Sequence, residues 1–262
     1  MKTDAFVSDT APPPAPGMDP EEWRVRIDLA ACYRLFNHFG WTDLIFNHIS
    51  VCVPGQHDQF LINAFGLMYD EVTASNLVKV DVDGNVISDV TGMGVLPGGF
   101  TIHSAVHMVR RDAKCVMHTH TPATIAVSAM ERGLMRLSQH AMRFTNRVAY
   151  HNYDGAFFND EERRRLQANL GDKMVMFLRN HGSLVCGKSI EEAFDTMYYL
   201  ERACQAQVTM LSTGEKLVEP QLSVGDQVAG MFESPGRKKK GGVQIWPAMM
   251  RLLDRTDQSY KT

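Results

Sequence analysis

The sequence predicts an α/β domain, and three stretches carry the prediction. A helical repeat of apolar residues opens the ordered chain, period-two strands between residues 47 and 88 follow it, and an apolar run ending in two histidines gives way at Thr121-Pro122 to another helix. A chain of 262 residues that is 44% hydrophobic and 22% charged is long enough for one large core.

The elements follow in order. Residues 1–18 are rich in Pro and Ala and read as a mobile tail. Asp19-Pro20-Glu21-Glu22 supplies a cap, a first-turn proline and a capping-box glutamate for a helix that carries Trp23, Ile27, Ala30, Ala31 and Leu35 inward and fades near Gly40. Strands over Asn47–Val53, Gln59–Asn63, Leu77–Val82 and Asn85–Ser88, with turns at Pro54-Gly55 and Asp83-Gly84, make an antiparallel meander. The glycine-rich stretch 92–99 reads as an irregular loop, and a helix over about Thr101–Arg110 leads into Cys115–His120. A helix follows over about Pro122–Glu131. Strands over Met174–Leu178 and Ser183–Cys186 flank Arg179-Asn180-His181-Gly182, and Ser189-Ile190-Glu191-Glu192 opens a long helix with Ala193, Met197, Leu200, Cys204, Val208 and Leu211 inward. Past Thr213 the chain reads as a connector, ending in an amphipathic docking helix over Trp246–Leu253. The expected organisation is thus a tail over 1–18, a domain over 19–215 and an extension over 216–262.

Several function classes are disfavoured. The formal net charge of −3 provides no overall basic field for nucleic acid, and Arg237-Lys238-Lys239-Lys240, set between glycines, reads as a solvated loop. No apolar run approaches the ~18–20 residues that span a bilayer, and the N-terminus has prolines and acids in place of a secretory core. Five widely spaced cysteines read as reduced thiols of a cytoplasmic protein.

Chemistry concentrates in the histidines. In a strand alternate side chains share a face, so His118 and His120 can share one ion; two histidines alone fit an ordinary strand end as well. His181, between two apolar strands, is the candidate third ligand that would turn the pair into a site for Zn²⁺, Fe²⁺ or Mn²⁺. His103 and His107, one helical turn apart, have the i, i+4 spacing of a possible metal pair, and Tyr150, His151 and Tyr153 read as residues near a strand end.

His-Thr-His at 118–120, Arg-Asn-His-Gly at 179–182, Asn-His-Ile-Ser-Val at 47–51 and Glu-Glu-Ala-Phe at 191–194 occur in the order seen in the class II aldolase/adducin family, which residues 19–215 resemble. The stretch from Gly99-Phe100-Thr101-Ile102-His103 through Tyr150 to Gly155 is most similar to the adducin head domain and its bacterial relatives. The resemblance implies an α/β/α layered domain around a mixed, largely antiparallel sheet. It also implies tetramers with active sites between subunits, and one divalent metal per chain, zinc foremost, on His118, His120 and His181.

Departures from the aldolase pattern shape the expected function. Gly99 falls where the sugar-phosphate aldolases carry an acidic catalytic residue. Phe65-Gly66 and Pro97-Gly98 stand where those enzymes hold phosphate with a Thr-Gly and a Ser-Ser pair. Of that cradle Asn47 and Gly66 remain, so Asn47, Phe65, Gly66, Gly98 and Gly99 are expected to line a site for an unphosphorylated small molecule. His140 lies close to the aldolases' catalytic Tyr and is the candidate acid or base. The leading expectation is a metal-dependent lyase, performing aldol cleavage or decarboxylation of an oxo or hydroxy acid. A non-haem iron oxygenase on the same three histidines and a non-catalytic adducin-like interaction module are the alternatives.

Overall fold

In the computed structural model, described over residues 13–14, 17–152 and 159–262 (side chains of residues 97 and 235–244 apart), helix α1 (Pro20–Phe39) begins at its expected cap. The Asp19 carboxylate accepts hydrogen bonds from the Glu21 and Glu22 amides at 2.8 and 3.1 Å. Glu22 departs from the capping box. It is buried and pairs with Arg26 and Lys79 at 2.9 and 2.5 Å, because a carboxylate taken out of water needs cationic partners. Residues 1–12 and 15–16 of the expected tail, Tyr153, and the side chains of the 237–240 basic run lie outside the described residues.

The meander forms as β1 (His48–Val53), β2 (Gln56–Ile62), β3 (Val78–Asp81) and β4 (Val86–Ser88). Later come β5 (Cys115–Thr119), β6 (Val148–His151), β7 (Val175–Leu178) and β8 (Gly182–Gly187). They join in one eight-stranded sheet of order β4-β3-β2-β1-β5-β8-β7-β6, antiparallel at every step except β6–β7.

Helices cover both faces: α2 (Pro97–Val109), α3 (Pro122–Ala129), α4 (Gln139–Met142), α5 (Asp160–Leu170), α6 (Ile190–Ser212), α7 (Leu222–Glu233) and α8 (Pro235–Asp254). Strand alternation divides the core. Cys115, Met117, Val175, Phe177 and Val185 pack with residues of α1, α6 and α8, whereas Val116, Met176, Leu178, Leu184 and Cys186 pack with α2 and α5. This is the layered α/β/α arrangement with a mixed, largely antiparallel sheet.

Three expectations give way. The loop over 92–99 ends early, since α2 starts at Pro97 and takes Gly98 and Gly99 into its first turn, where proline is tolerated and a missing side chain permits close packing. The connector after Thr213 contains α7, in which Gly225 packs: a Cβ there would lie 2.5 Å from Thr145 Oγ1. The basic run belongs to the backbone of α8 and not to a loop; its flanking glycines cost a helix about 1 kcal/mol each, too little to end it. The distal part of α8 packs on α1. Trp246 is buried, and its indole Nε1–H donates to Asp28 Oδ1 of α1 at 3.2 Å. Among the described residues no helix is long and apolar enough to cross a membrane, and all five cysteines are free.

Candidate metal centre

Alternation along β5 sends His118 to the α2 face, while Thr119 turns to the other face, where its Oγ1 lies 2.9 Å from Ser183 Oγ. His120 follows the end of the strand on the same side as His118. His181 sits in the tight turn joining β7 and β8, whose residue Asn180 takes φ 58° and whose His181 amide donates to Leu178 O at 3.0 Å. A Cβ at Gly182 would lie 2.2 Å from the Thr119 carbonyl oxygen, so only glycine lets this turn approach the end of β5. The three imidazoles meet as a result. Their Nε2 atoms are separated by 2.8 Å (His118–His120), 2.8 Å (His120–His181) and 3.3 Å (His118–His181).

The far nitrogens decide what those Nε2 atoms carry. His118 Nδ1 lies 2.8 Å from the Ser183 carbonyl oxygen and His120 Nδ1 lies 2.9 Å from Asp43 Oδ2. Both partners accept only, so each Nδ1 carries a proton, and the nitrogen left to offer a lone pair to an ion is the inward-facing Nε2. Burial, reinforced by the neighbouring histidines, holds the His118 pKa well below its ordinary value, and the same causes lower His181 to about 4. Two unprotonated nitrogens 2.8 Å apart repel rather than bond. A cation between them converts that repulsion into ligation, so the donor set fits a divalent metal held by three neutral imidazoles.

A buried polar seam continues behind the cluster. The His48 ring lies 6.0 Å, centroid to centroid, from that of His118 and 4.1 Å from that of His103. Ser50 Oγ lies 2.7 Å from His103 Nδ1 and 2.8 Å from His107 Nε2, and His107 Nδ1 donates to the Ala113 carbonyl at 3.1 Å. With its proton on Nδ1, neutral His107 presents a bare Nε2 to Ser50, which must donate there and accept from His103 Nδ1–H. Burial lowers the pKa of His48 to about 4 and of His107 to about 3, and that of His103 well below its usual value. The one-turn spacing of His103 and His107 would also suit a metal pair, but their nitrogens are engaged with Ser50 and Ala113, which fits the structural role implied by the family pattern.

Gly99 carries the expected consequence. Its carbonyl accepts from His48 Nε2 at 2.8 Å, and a Cβ at this position would stand 2.7 Å from His48 Cε1. The His48 ring thus fills the space an acidic side chain at 99 would need.

The other expected site residues divide into two groups. Asn47, at φ 67°, and Phe65 line one small pocket with Ile45, His48, Ile62, Asn63 and Leu96. Asn47 is 5% exposed, and neither its amide oxygen nor its nitrogen has a hydrogen-bond partner among the described residues. Gly66 is next in the chain, and Gly98 and Gly99 follow Leu96 in the first turn of α2. His140 lies elsewhere: on α4, half-exposed, its ring centroid 5.0 Å from that of Tyr199 on α6. Partial burial and the charges of Arg202 and Arg143 lower its pKa.

Tyr150 is occupied structurally, stacked on Phe177 with the Arg179 guanidinium 4.3 Å above its ring, and His151 pairs with Glu162 at 2.6 Å. The sequence reading missed His48 and Asp43. His48 is legible only through the pairing of β1 with β5, which sets it opposite His118, and Asp43 lies in a turn 77 positions from the histidine it touches.

Comparison with known proteins agrees with this fold. The family model for the class II aldolase and adducin N-terminal domain matches residues 27–208. The crystal structure of an aldolase II superfamily protein from Pseudomonas syringae is 47% identical, with a TM-score of 0.88 over 94% of this chain and 98% of that one. Mouse α-adducin is 43% identical over 248 residues, a match that spans 90% of this chain and 34% of adducin. An L-fuculose 1-phosphate aldolase from Glaciozyma antarctica, 24% identical with a TM-score of 0.81 over 95% of this chain and 97% of that one, shares the fold. The family match over most of the sequence, and 47% identity to the Pseudomonas syringae protein across nearly the whole of both chains, establish that the chain belongs to the class II aldolase and adducin family.

Proposed function

We propose that this protein is a metal-dependent lyase that acts on an unphosphorylated oxo or hydroxy acid, with His118, His120 and His181 holding one divalent ion per chain. The observation that supports it most is the convergence of three Nε2 atoms, two of them held bare by acceptors behind their rings. The ion, zinc in this reading with iron or manganese as alternatives, supplies Lewis-acid polarisation of adjacent substrate oxygens.

The protein's own residues supply the rest. The unpartnered Asn47 amide offers a donor and an acceptor to a substrate carboxylate or hydroxyl, and Phe65 walls the same cavity with an aromatic ring where a phosphate cradle would need hydroxyls. Gly66, Gly98 and Gly99 keep side chains away from that region. In this reading His140, which lies away from the cluster of its own chain, moves the proton in place of the acid absent at 99 at the site of a neighbouring subunit, within a homo-oligomer of the kind the family forms. The reading sets the protein in the cytoplasm, where five unpaired thiols stay reduced.

A second reading has its own support: likeness to α-adducin over 90% of the chain suits an interaction module that keeps the fold without the chemistry. Elemental analysis of protein purified without chelator, beside His118→Ala and His181→Ala, separates the two. The lyase reading expects about one metal per chain, lost in both variants, and anaerobic turnover of unphosphorylated hydroxy or oxo acids. Metal-free wild type after reconstitution would favour the module, turnover that requires oxygen an oxygenase, and cleavage of phosphorylated sugars alone would overturn the substrate class.

A further inference from the structure

We propose that Asp43 is the positioning carboxylate of the metal centre, holding His120 in its ligating tautomer and supplying the negative charge that Gly99 does not. The inference rests on the metal-centre reading above. Asp43 Oδ2 lies 2.9 Å from His120 Nδ1, so the carboxylate is hydrogen-bonded to the far nitrogen of the ring whose Nε2 faces the other two histidines.

The turn that presents Asp43 supports the assignment. Residues 43–46 close on themselves, with the Phe46 amide donating to the Asp43 carbonyl at 2.8 Å and a bridge between the two residues. Leu44, inside that turn, takes φ 50° while its side chain is 66% exposed. A branched residue in the left-handed region costs roughly 1–2 kcal/mol, and the exposed leucine recovers little of it by packing. What the turn does secure is the direction of the Asp43 side chain.

Charge balance gives the contact its meaning. Three neutral imidazoles leave the full double charge of a bound cation unreduced, and position 99, where an acidic ligand would have lowered it, holds a glycine packed on His48. A carboxylate hydrogen-bonded to the far nitrogen makes the ring a stronger donor, while leaving coordination positions open for substrate. His118, by comparison, has only a backbone carbonyl behind it.

The test is metal affinity in metal-free wild type, Asp43→Asn and Asp43→Ala, titrated with Zn²⁺ against a chromophoric chelator, with Co²⁺ visible spectra as a readout of the ligand field. Loss of such a partner weakens binding by about 10–100-fold, which is the effect expected for Asp43→Ala. Asp43→Asn falls between, since its amide oxygen still accepts the Nδ1–H without the charge. The thermal midpoint of the metal-free variants stays at the wild-type value, because the carboxylate side chain is 45% exposed. Asp43→Ala binding zinc within about threefold of wild type, with an unchanged Co²⁺ spectrum, overturns the inference alone. Wild type that binds no zinc, or binds it no better than His118→Ala, overturns the metal-centre reading and this inference with it.

Discussion

Replacing Ser50 with alanine removes the one hydroxyl that serves both His103 Nδ1 and His107 Nε2, at 2.7 and 2.8 Å. Neither nitrogen has an obvious substitute. His103 is 0% exposed and His107 4%, and His103 Nε2 already lacks a partner among the described residues, so a change of tautomer recovers nothing. The hydroxyl leaves too small a void for a water molecule. One buried donor and one buried acceptor are therefore stranded, each at about 1–3 kcal/mol, and the expected loss is about 2–6 kcal/mol. Against a typical total of about 5–15 kcal/mol this is large. Urea denaturation of the metal-free protein reads it as a lower midpoint at constant slope. Ser88→Ala, on the exposed edge strand β4, is the matched control and should change stability by less than about 0.5 kcal/mol. Nitrogen NMR of the histidine rings should show Nδ1–H forms for His103 and His107 in wild type. A loss below about 1 kcal/mol, or an Nε2–H form at His107, would refute the proton assignment through the seam.

Two further outcomes follow from the same region. His48, His103 and His107 have folded pKa values below their ordinary value, so the unfolded chain binds more protons below pH 6.5; stability is intact above that pH and falls as pH drops toward about 4. Between pH 7.5 and 5.5 three such histidines remove up to about 4 kcal/mol, partly offset by Asp28, whose raised pKa of about 6 acts with the opposite sign; stability of the metal-free protein flat across this window would contradict the burial argument. Gly99→Ala should cost about 1–3 kcal/mol, because its Cβ would stand 2.7 Å from the His48 ring, and wild-type stability in that variant would show that His48 can move aside.

Legibility tracked the range of the interaction. The Asp19 and Ser189 caps, the Gly40 terminus, the meander and the exit of β5 into α3 were readable because each depends on residues within one turn of one another. Glycines misled where their purpose was packing. Gly98 and Gly99 read as loop and are helical against β1, and the stretch holding Gly225 read as connector and is helix α7, with Gly225 buried against Thr145. The three histidines were legible as candidate ligands through alternation and family likeness, and the fold brings them together. Their convergence was not readable, since it needs the Gly182 turn to pass within a hydrogen atom's reach of β5.

The sequence by itself determined the α/β class, most of its element boundaries and the presentation of two histidines on one strand face, because propensity, capping and alternation act locally. Only the tertiary structure decided what stands behind those histidines. Strand pairing put Ser183 against His118 and His48 opposite it, and a turn far away in the chain put Asp43 against His120. Proton positions on an imidazole follow from the acceptor at its far nitrogen, and that acceptor is chosen by the fold.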